Sequence, residues 1–215
     1  MDNGAEEQKE RQPLREQFRE MAEAVSATVR QIHDFGEAVA YAVDLCGGRG
    51  GCRLAISGCE EKLSRAADGL CRIKDEKIIA AAGLSEKRYR ELERSCANQG
   101  FTCLRSGLRS HLEGIDIGFT VADLAIAETG TVVLDCPGED LRLSTMICEY
   151  HVCVVNQSRI VKDAFAAEAR LKEFMSRAPG YTAFITGASR TADIERVLAL
   201  GVHGPLEVHL LILED

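Results

Sequence analysis

The segment His151-Val152-Cys153-Val154-Val155-Asn156 sets apolar, mostly β-branched residues side by side with no polar alternation. A strand with one wet face would alternate, and the run is too short for a buried helix and far too short for a bilayer. It reads as a strand buried on both faces, as in the middle of a parallel sheet. Further strand-like runs are Arg53 to Ser57, Lys77 to Ala82, Phe101 to Leu104, Thr131 to Asp135, Tyr181 to Thr186 and Glu207 to Ile212. Helical stretches lie between them. Ser85 is placed to cap a helix running to Ala97, with Leu84 and Tyr89 as a hydrophobic staple. Lys162 to Arg177 puts Ala164, Ala167, Leu171 and Phe174 on one face. This alternation predicts an α/β fold, a mainly parallel sheet flanked by helices.

At the amino end, residues 1 to 12 are polar and charged without periodicity and are expected to lack stable structure. Leu14, Phe18, Met21, Val25, Val29 and Ile32 then recur at spacings of three and four, which predicts one amphipathic helix forming an N-terminal extension over residues 1–34. Glu37 to Leu45 continues helical and ends in Gly47-Gly48-Arg49-Gly50-Gly51. That glycine cluster follows a helix, not a strand, and fits neither the dinucleotide fingerprint nor a Walker loop, so it is expected to be a turn.

Composition narrows the partners. At 215 residues and 46% hydrophobic, the chain can build one substantial core. Its net charge of −8 opposes binding to nucleic acid, and the cluster Arg105 to Arg109 holds only two arginines. The N-terminus lacks the apolar run of a signal peptide, and no window suits a bilayer; a cytoplasmic protein without membrane insertion is expected. Nine cysteines make an odd set. Cys46, Cys52 and Cys59, then Cys96 and Cys103, then Cys148 and Cys153, lie five to seven apart, with no C-x-x-C. In a reducing compartment such thiols act mostly as small buried hydrophobes, so neither a disulfide framework, a metal site nor a resident redox cofactor is expected.

Ligands of open parallel sheets sit in loops beyond the carboxyl ends of the strands, and three loops carry suitable residues. In Glu128-Thr129-Gly130-Thr131, a carboxylate, two hydroxyls and a glycine interrupt the apolar runs Leu124 to Ala127 and Val132 to Leu134. Glu128 would be partly desolvated there, with a raised pKa suited to acid–base or nucleophilic work. The alternative is a hairpin turn whose polar groups satisfy the backbone. In Thr186-Gly187-Ala188-Ser189-Arg190-Thr191-Ala192-Asp193, a strand enters a glycine turn and then a helix start, where amides, hydroxyls and Arg190 suit an anion. An ordinary cap by Ser189 or Thr191 is the alternative. Gly201-Val202-His203-Gly204-Pro205 presents a histidine in a tight turn, able to move a proton or simply lie on the surface. His151, opening its apolar strand, is either a ligand-binding residue or a hydrogen-bonded core histidine.

"ADLAIAETGTVVL" in mid-chain, with "ITGASRTADIE" and "LGVHGP" near the end, resembles the LUD-domain family, most clearly over residues 113–212. The resemblance implies the Rossmann-like fold shared by ribose-5-phosphate isomerase and class I coenzyme A transferases, with residues 35–215 as the LUD domain. It also implies a place in L-lactate oxidation to pyruvate beside iron–sulfur lactate utilization proteins. This chain, without the ferredoxin-like cysteine region of a sister branch, would be the non-redox subunit, and iron–sulfur clusters would sit on its partners. It departs from the family in reading Ile147-Cys148-Glu149-Tyr150-His151 and Gly187-Ala188-Ser189-Arg190 where a proline is usual. On this reading Thr129, Gly130, Thr131, Gly187, Ser189, Arg190, Thr191, Asp193 and His151 hold a carboxylate or phosphate, and Glu128 and His203 handle protons. Two other functions stay open. Ala127-Glu128-Thr129-Gly130 resembles the turn presenting the nucleophilic glutamate of coenzyme A transferases, and a regulatory module for a phosphorylated metabolite needs no chemistry.

Overall fold

The computed structural model describes residues 3–49, 76–111, 114–178, 180–191, 199–201 and 203–214. The strand expected over Arg53 to Ser57 lies outside them, as does Asp193. Helix α1 (Asn3–Ala24) leads into β1 (Ala27–Ile32) and α2 (Phe35–Gly48). There follow β2 (Ile78–Ala80), α3 (Glu86–Asn98), β3 (Thr102–Leu104), β4 (Ile115–Val121), β5 (Leu124–Ile126) and β6 (Thr131–Asp135). Helix α4 (Glu139–Met146), β7 (Cys148–Asn156), β8 (Ile160–Val161) and α5 (Ala164–Met175) come next. The chain closes with β9 (Thr182–Ile185), β10 (Arg190–Thr191), β11 (Ala199–Leu200) and β12 (Glu207–Leu213).

The expected parallel sheet is present. Its six strands run in the order β1-β12-β7-β4-β2-β3, every neighbouring pair parallel. Val152 to Val155 in β7 are fully buried because both faces of the sheet are covered. On one face, α2 and α3 set Ala38, Val39, Ala42, Val43, Leu92 and Cys96 against Ile79, Ile117, Phe119, Val152, Val154 and Leu211. On the other, Phe18 and Ala22 of α1 pack with Val29, Cys153, Val155, Val208, Leu210 and Ile212. A second, smaller sheet in the order β8-β5-β6-β9 shares that core through Ala125, Val132 and Leu134, and α5 covers its back with Ala167 and Phe174. Two antiparallel pairings, β5–β6 and β6–β9, and the parallel pairing β5–β8 hold this sheet together, and strand–helix alternation does not announce the antiparallel ones.

The N-terminal expectation needs two corrections. A helix already begins at Asn3, where Ala5, Glu6, Glu7, Gln8 and Lys9 are good helix formers although nothing in them is apolar enough to show a stripe. It then stops at Ala24 instead of running to Ile32. Ser26 takes a left-handed φ of 67°, and Ala27 to Ile32 form the edge strand β1, paired with Val208 to Leu213. Val25, Val29 and Ile32 imitate helical spacing, but the period that wins is two, with Ala27 and Val29 buried and Thr28 and Arg30 exposed.

Of the glycine cluster expected to form a turn, Gly47 and Gly48 are instead the last residues of α2 and Arg49 its cap, while Gly50 and Gly51 lie outside the described residues. Lys77 donates to the carbonyls of Cys46, Gly47 and Arg49 at 2.6, 3.0 and 2.8 Å, so these orphan acceptors meet a cation. Helices α3 and α5 match their expected spans within two residues; Asp163 caps α5, accepting from the Ala166 amide at 2.8 Å. Strand β4 went unread because Asp116 and Gly118 break its apolar run. The Asp116 carboxylate accepts the Ile78 amide at 2.7 Å, and a Cβ on Gly118 would lie 1.8 Å from the Ser144 carbonyl of α4.

Candidate functional site

The mid-chain turn is a hairpin. Residues 127–130 join β5 to β6 as a tight hairpin, and Gly130, at φ 62°, lies so close to α1 that a Cβ would sit 2.3 Å from the Ala22 amide nitrogen. The Glu128 amide donates to the Lys162 carbonyl at 2.9 Å, while its side chain is exposed to water and not desolvated as its apolar neighbours suggested. The Thr131 hydroxyl is buried between those of Thr129 and Thr186, at 2.7 Å from each.

The other two loops meet. Ser189 joins them with three hydrogen bonds. Its amide donates to the Pro205 carbonyl at 3.0 Å, its carbonyl accepts the Gly201 amide at 3.0 Å, and its hydroxyl accepts the His203 amide at 3.2 Å. Gly187, at φ 72°, fits beneath the end of α1, where a Cβ would lie 2.1 Å from the Val25 carbonyl. Arg190 and Thr191 form β10, an antiparallel pair with β11, and Ser189 ties loop to loop; the helix expected to start around Asp193 lies outside the described residues.

Between these loops and the end of α4 lies an open hollow of about 400 Å³. Arg142, Thr145 and Met146 form one wall; β9 and the loop through Arg190 form another; His203, Gly204 and Pro205 close it. Three nitrogen-rich side chains face it, Arg142, Arg190 and His203, and among the described residues no carboxylate lines it. Arg142 is held over the Tyr181 ring at 4.7 Å and lies 3.8 Å from Glu139. Arg190 has no ion-pair partner among the described residues and is exposed. Such a cradle suits a small anion, with Thr186 as a further hydroxyl. Its position departs from the sheet rule: Met146 precedes β7 and Pro205 precedes β12, so the hollow sits at the amino ends of these strands, not beyond their carboxyl ends.

The expected residues therefore divide. Gly187, Ser189, Arg190 and His203 come together at the hollow; Thr131 touches its rim through Thr186; Glu128, Thr129 and Gly130 do not line it, nor does Thr191. His151 is elsewhere. It is fully buried in β7, with Nε2 2.8 Å from the Thr120 hydroxyl and Nδ1 without a hydrogen-bond partner. Burial, aided by nearby His209, pushes its pKa down to about 4, so the ring is neutral at physiological pH.

Sequence reasoning passed over two features. Arg142 sits in a helix with no apolar stripe strong enough to announce it. On the opposite face of the sheet, His209 bridges Glu207 at 3.0 Å and the Tyr41 hydroxyl at 2.7 Å, and Arg49 reaches Glu207 at 3.0 Å. Glu207-Val208-His209 on a strand puts both side chains on one face, the signal that would have found the pair. Burial lowers the His209 pKa although Glu207 opposes it. Among the described residues, no group of three or more histidine, cysteine or acidic side chains is arranged to hold a metal, and no helix is long and apolar enough to cross a membrane.

Known proteins place this architecture. A crystal structure of a DUF162 family protein from Deinococcus radiodurans superposes with a TM-score of 0.51 at 19% identity, covering 94% of this chain and 98% of that one, a likeness of fold. Lactate utilization protein C 1 of Bacillus mycoides is 34% identical over 156 residues, 66% of each chain. Lactate utilization protein C of Halalkalibacterium halodurans is 37% identical over 106 residues, 48% of this chain and 46% of that protein. The chain thus spans less than two thirds of these relatives' length. Residues 15–213 match the LUD domain profile, taking in α1's docked half and every strand of both sheets: the chain belongs to the LUD domain family.

Proposed function

We propose that this chain serves lactate utilization as a subunit that holds a small carboxylate or phosphate anion and leaves the electrons to iron–sulfur partner proteins. Oxidation of lactate to pyruvate releases two electrons, and a separate carrier for them fits the role implied by the family resemblance. The observation that carries the reading is the hollow of about 400 Å³ with Arg142, Arg190 and His203 at its walls and no described carboxylate among them. Arg190 presents a fork to the anion, Arg142 is pre-oriented by Tyr181, and His203 moves a proton at the bound oxygen. The names of the Bacillus and Halalkalibacterium relatives support lactate as the context.

The test is calorimetric titration of the chain with L-lactate, pyruvate and inorganic phosphate, followed by Arg190→Ala. Loss of a charge-assisted bond costs about 1.5–3 kcal/mol, so affinity for the anion that binds should fall roughly ten- to a hundredfold. The variant should also fail to restore lactate-dependent growth in a strain lacking the native protein. Unchanged affinity and growth would remove Arg190, and with it the hollow, from the function.

A further inference from the structure

We propose that the hollow is the docking groove for an extended acidic segment of a partner protein, which adds to β9 as a further strand and sets its carboxylates against Arg190 and Arg142. The proposal rests on the anion reading of the hollow and extends it from a free anion to carboxylates carried on a chain. Strand β9 is the last strand of the smaller sheet, paired with β6 along one side. The pattern of that pairing shows which way its polar groups point. The Cys136 amide donates to the Tyr181 carbonyl at 2.8 Å, so Tyr181, Ala183 and Ile185 face β6 with their backbone groups while Thr182 and Phe184 do not. Val133, opposite Phe184, agrees: its carbonyl turns away from β9 to accept the Asp123 amide at 3.0 Å. The amides and carbonyls of Thr182 and Phe184 therefore point outward along an open edge about 13 Å long. Thr182-Ala183-Phe184-Ile185 carries none of the charges or prolines that guard an edge against pairing.

The hollow runs along this edge, since all of β9 lines it. Its size and rim suit a chain better than a lone ion. At about 400 Å³ it has the room of a site for drug-sized ligands, about 300–1,000 Å³, and lactate or phosphate would leave most of it to water. Phe184, Met146 and Tyr181 are 54%, 46% and 44% exposed around it, an apolar rim for which a small anion has no use. An added strand covers that rim and satisfies the outward amides and carbonyls together. Charge chooses the occupant. Arg142, Arg190 and His203 line the hollow with no described carboxylate among them, so an acidic segment is drawn in. A second copy of this chain, pairing β9 with β9 about a two-fold axis, would bring the same arginines towards each other, which opposes it.

The probe is a fluorescein-labelled peptide, Glu-Glu-Thr-Val-Thr-Val-Glu-Glu, titrated with the full-length chain and read by fluorescence anisotropy. Saturable binding is expected. Replacing the peptide's glutamates by glutamine should weaken it about tenfold or more, as should Arg190→Ala. N-methylation of its Thr-Val-Thr-Val amides keeps every charge, removes the strand's donors and should weaken it by a similar factor. Phe184→Pro deletes one outward amide where an edge strand tolerates proline, and should do the same. If that variant fails to fold, the two peptides decide on the unmutated chain. An N-methylated peptide that binds as well as its parent, or a parent that does not bind, would overturn the proposal. So would a dimer in sedimentation that Phe184→Pro returns to monomer, because the edge would then belong to a second copy. Inorganic phosphate titrated into the same chain separates the two readings: phosphate bound without the peptide sinks the strand alone, and neither bound sinks both.

Discussion

Gly130 and Gly187 invite comparison because they are so alike. Both adopt left-handed φ, 62° and 72°, and both lie against the carboxyl end of α1, where no Cβ fits. Their turns share a hydroxyl chain through Thr131 and Thr186. Yet the first turn is filled and the second opens onto a hollow. In the first, β5 and β6 pair directly, so the polar residues are consumed by the reversal or left in water. In the second, a distant segment, 201–206, supplies the partner bonds through Ser189, and the two loops stand apart enough to leave space lined by Arg142, Arg190 and His203. A glycine among hydroxyls thus marks a close approach of backbone; whether it marks a site depends on what comes from elsewhere in the chain.

The largest expected effect breaks the likeness at its root. Gly130→Ala and Gly187→Ala each force a Cβ onto α1 backbone and strain a left-handed residue, and each should lose about 2–5 kcal/mol of stability in urea denaturation. Where both still fold, anion affinity should drop only in Gly187→Ala, whose turn borders the hollow. Equal loss of affinity in Gly130→Ala would mean that the two turns act as one site.

The two histidines of interest divide along the same line, one at the hollow and one sealed in the sheet. His151 has an unfolded pKa near 6.5 and a folded value of about 4. Between these values the unfolded chain binds more protons, so the stability present above pH 6.5 is lost as the pH falls toward 4. About 2.5 pKa units correspond to roughly 3 kcal/mol. Denaturation midpoints measured from pH 7 to pH 4 should fall accordingly, and His151→Gln should flatten that slope. A slope unchanged in the variant would place the acid sensitivity on other groups, His209 first among them, since its pKa is lowered too.

The legible part of the molecule was the part written in local pattern. Val152 to Val155 announced a doubly covered strand, and the faces of α3 and α5 announced helices, because burial repeats at the period of the element. Strand β1 was misread where two periods overlap at Val29 and Ile32, and β4 was missed because Asp116 and Gly118 serve neighbours distant in sequence, the Ile78 amide and the Ser144 carbonyl. The site follows the same rule. Arg190 and His203 stood out as residue types, but their meeting depends on Ser189 and Pro205, and Arg142 reaches the hollow only because α4 packs on a glycine. Tertiary contacts of this kind leave no periodic trace.

The smallest expected effect is the most decisive for the turn. Glu128 is exposed and lies outside the hollow, while its backbone amide, not its carboxylate, makes the contact with Lys162. Glu128→Gln keeps the amide and the shape and removes only the charge, so stability should change by less than about 0.5 kcal/mol and anion affinity should hold. Incubation of the unmutated chain with a range of acyl-coenzyme A thioesters should leave its mass unchanged. A mass increase that disappears in Glu128→Gln would reverse the comparison, because an exposed carboxylate on a strained glycine turn would then be the nucleophile, and the cationic hollow beyond Thr186 a place for the carrier's phosphates.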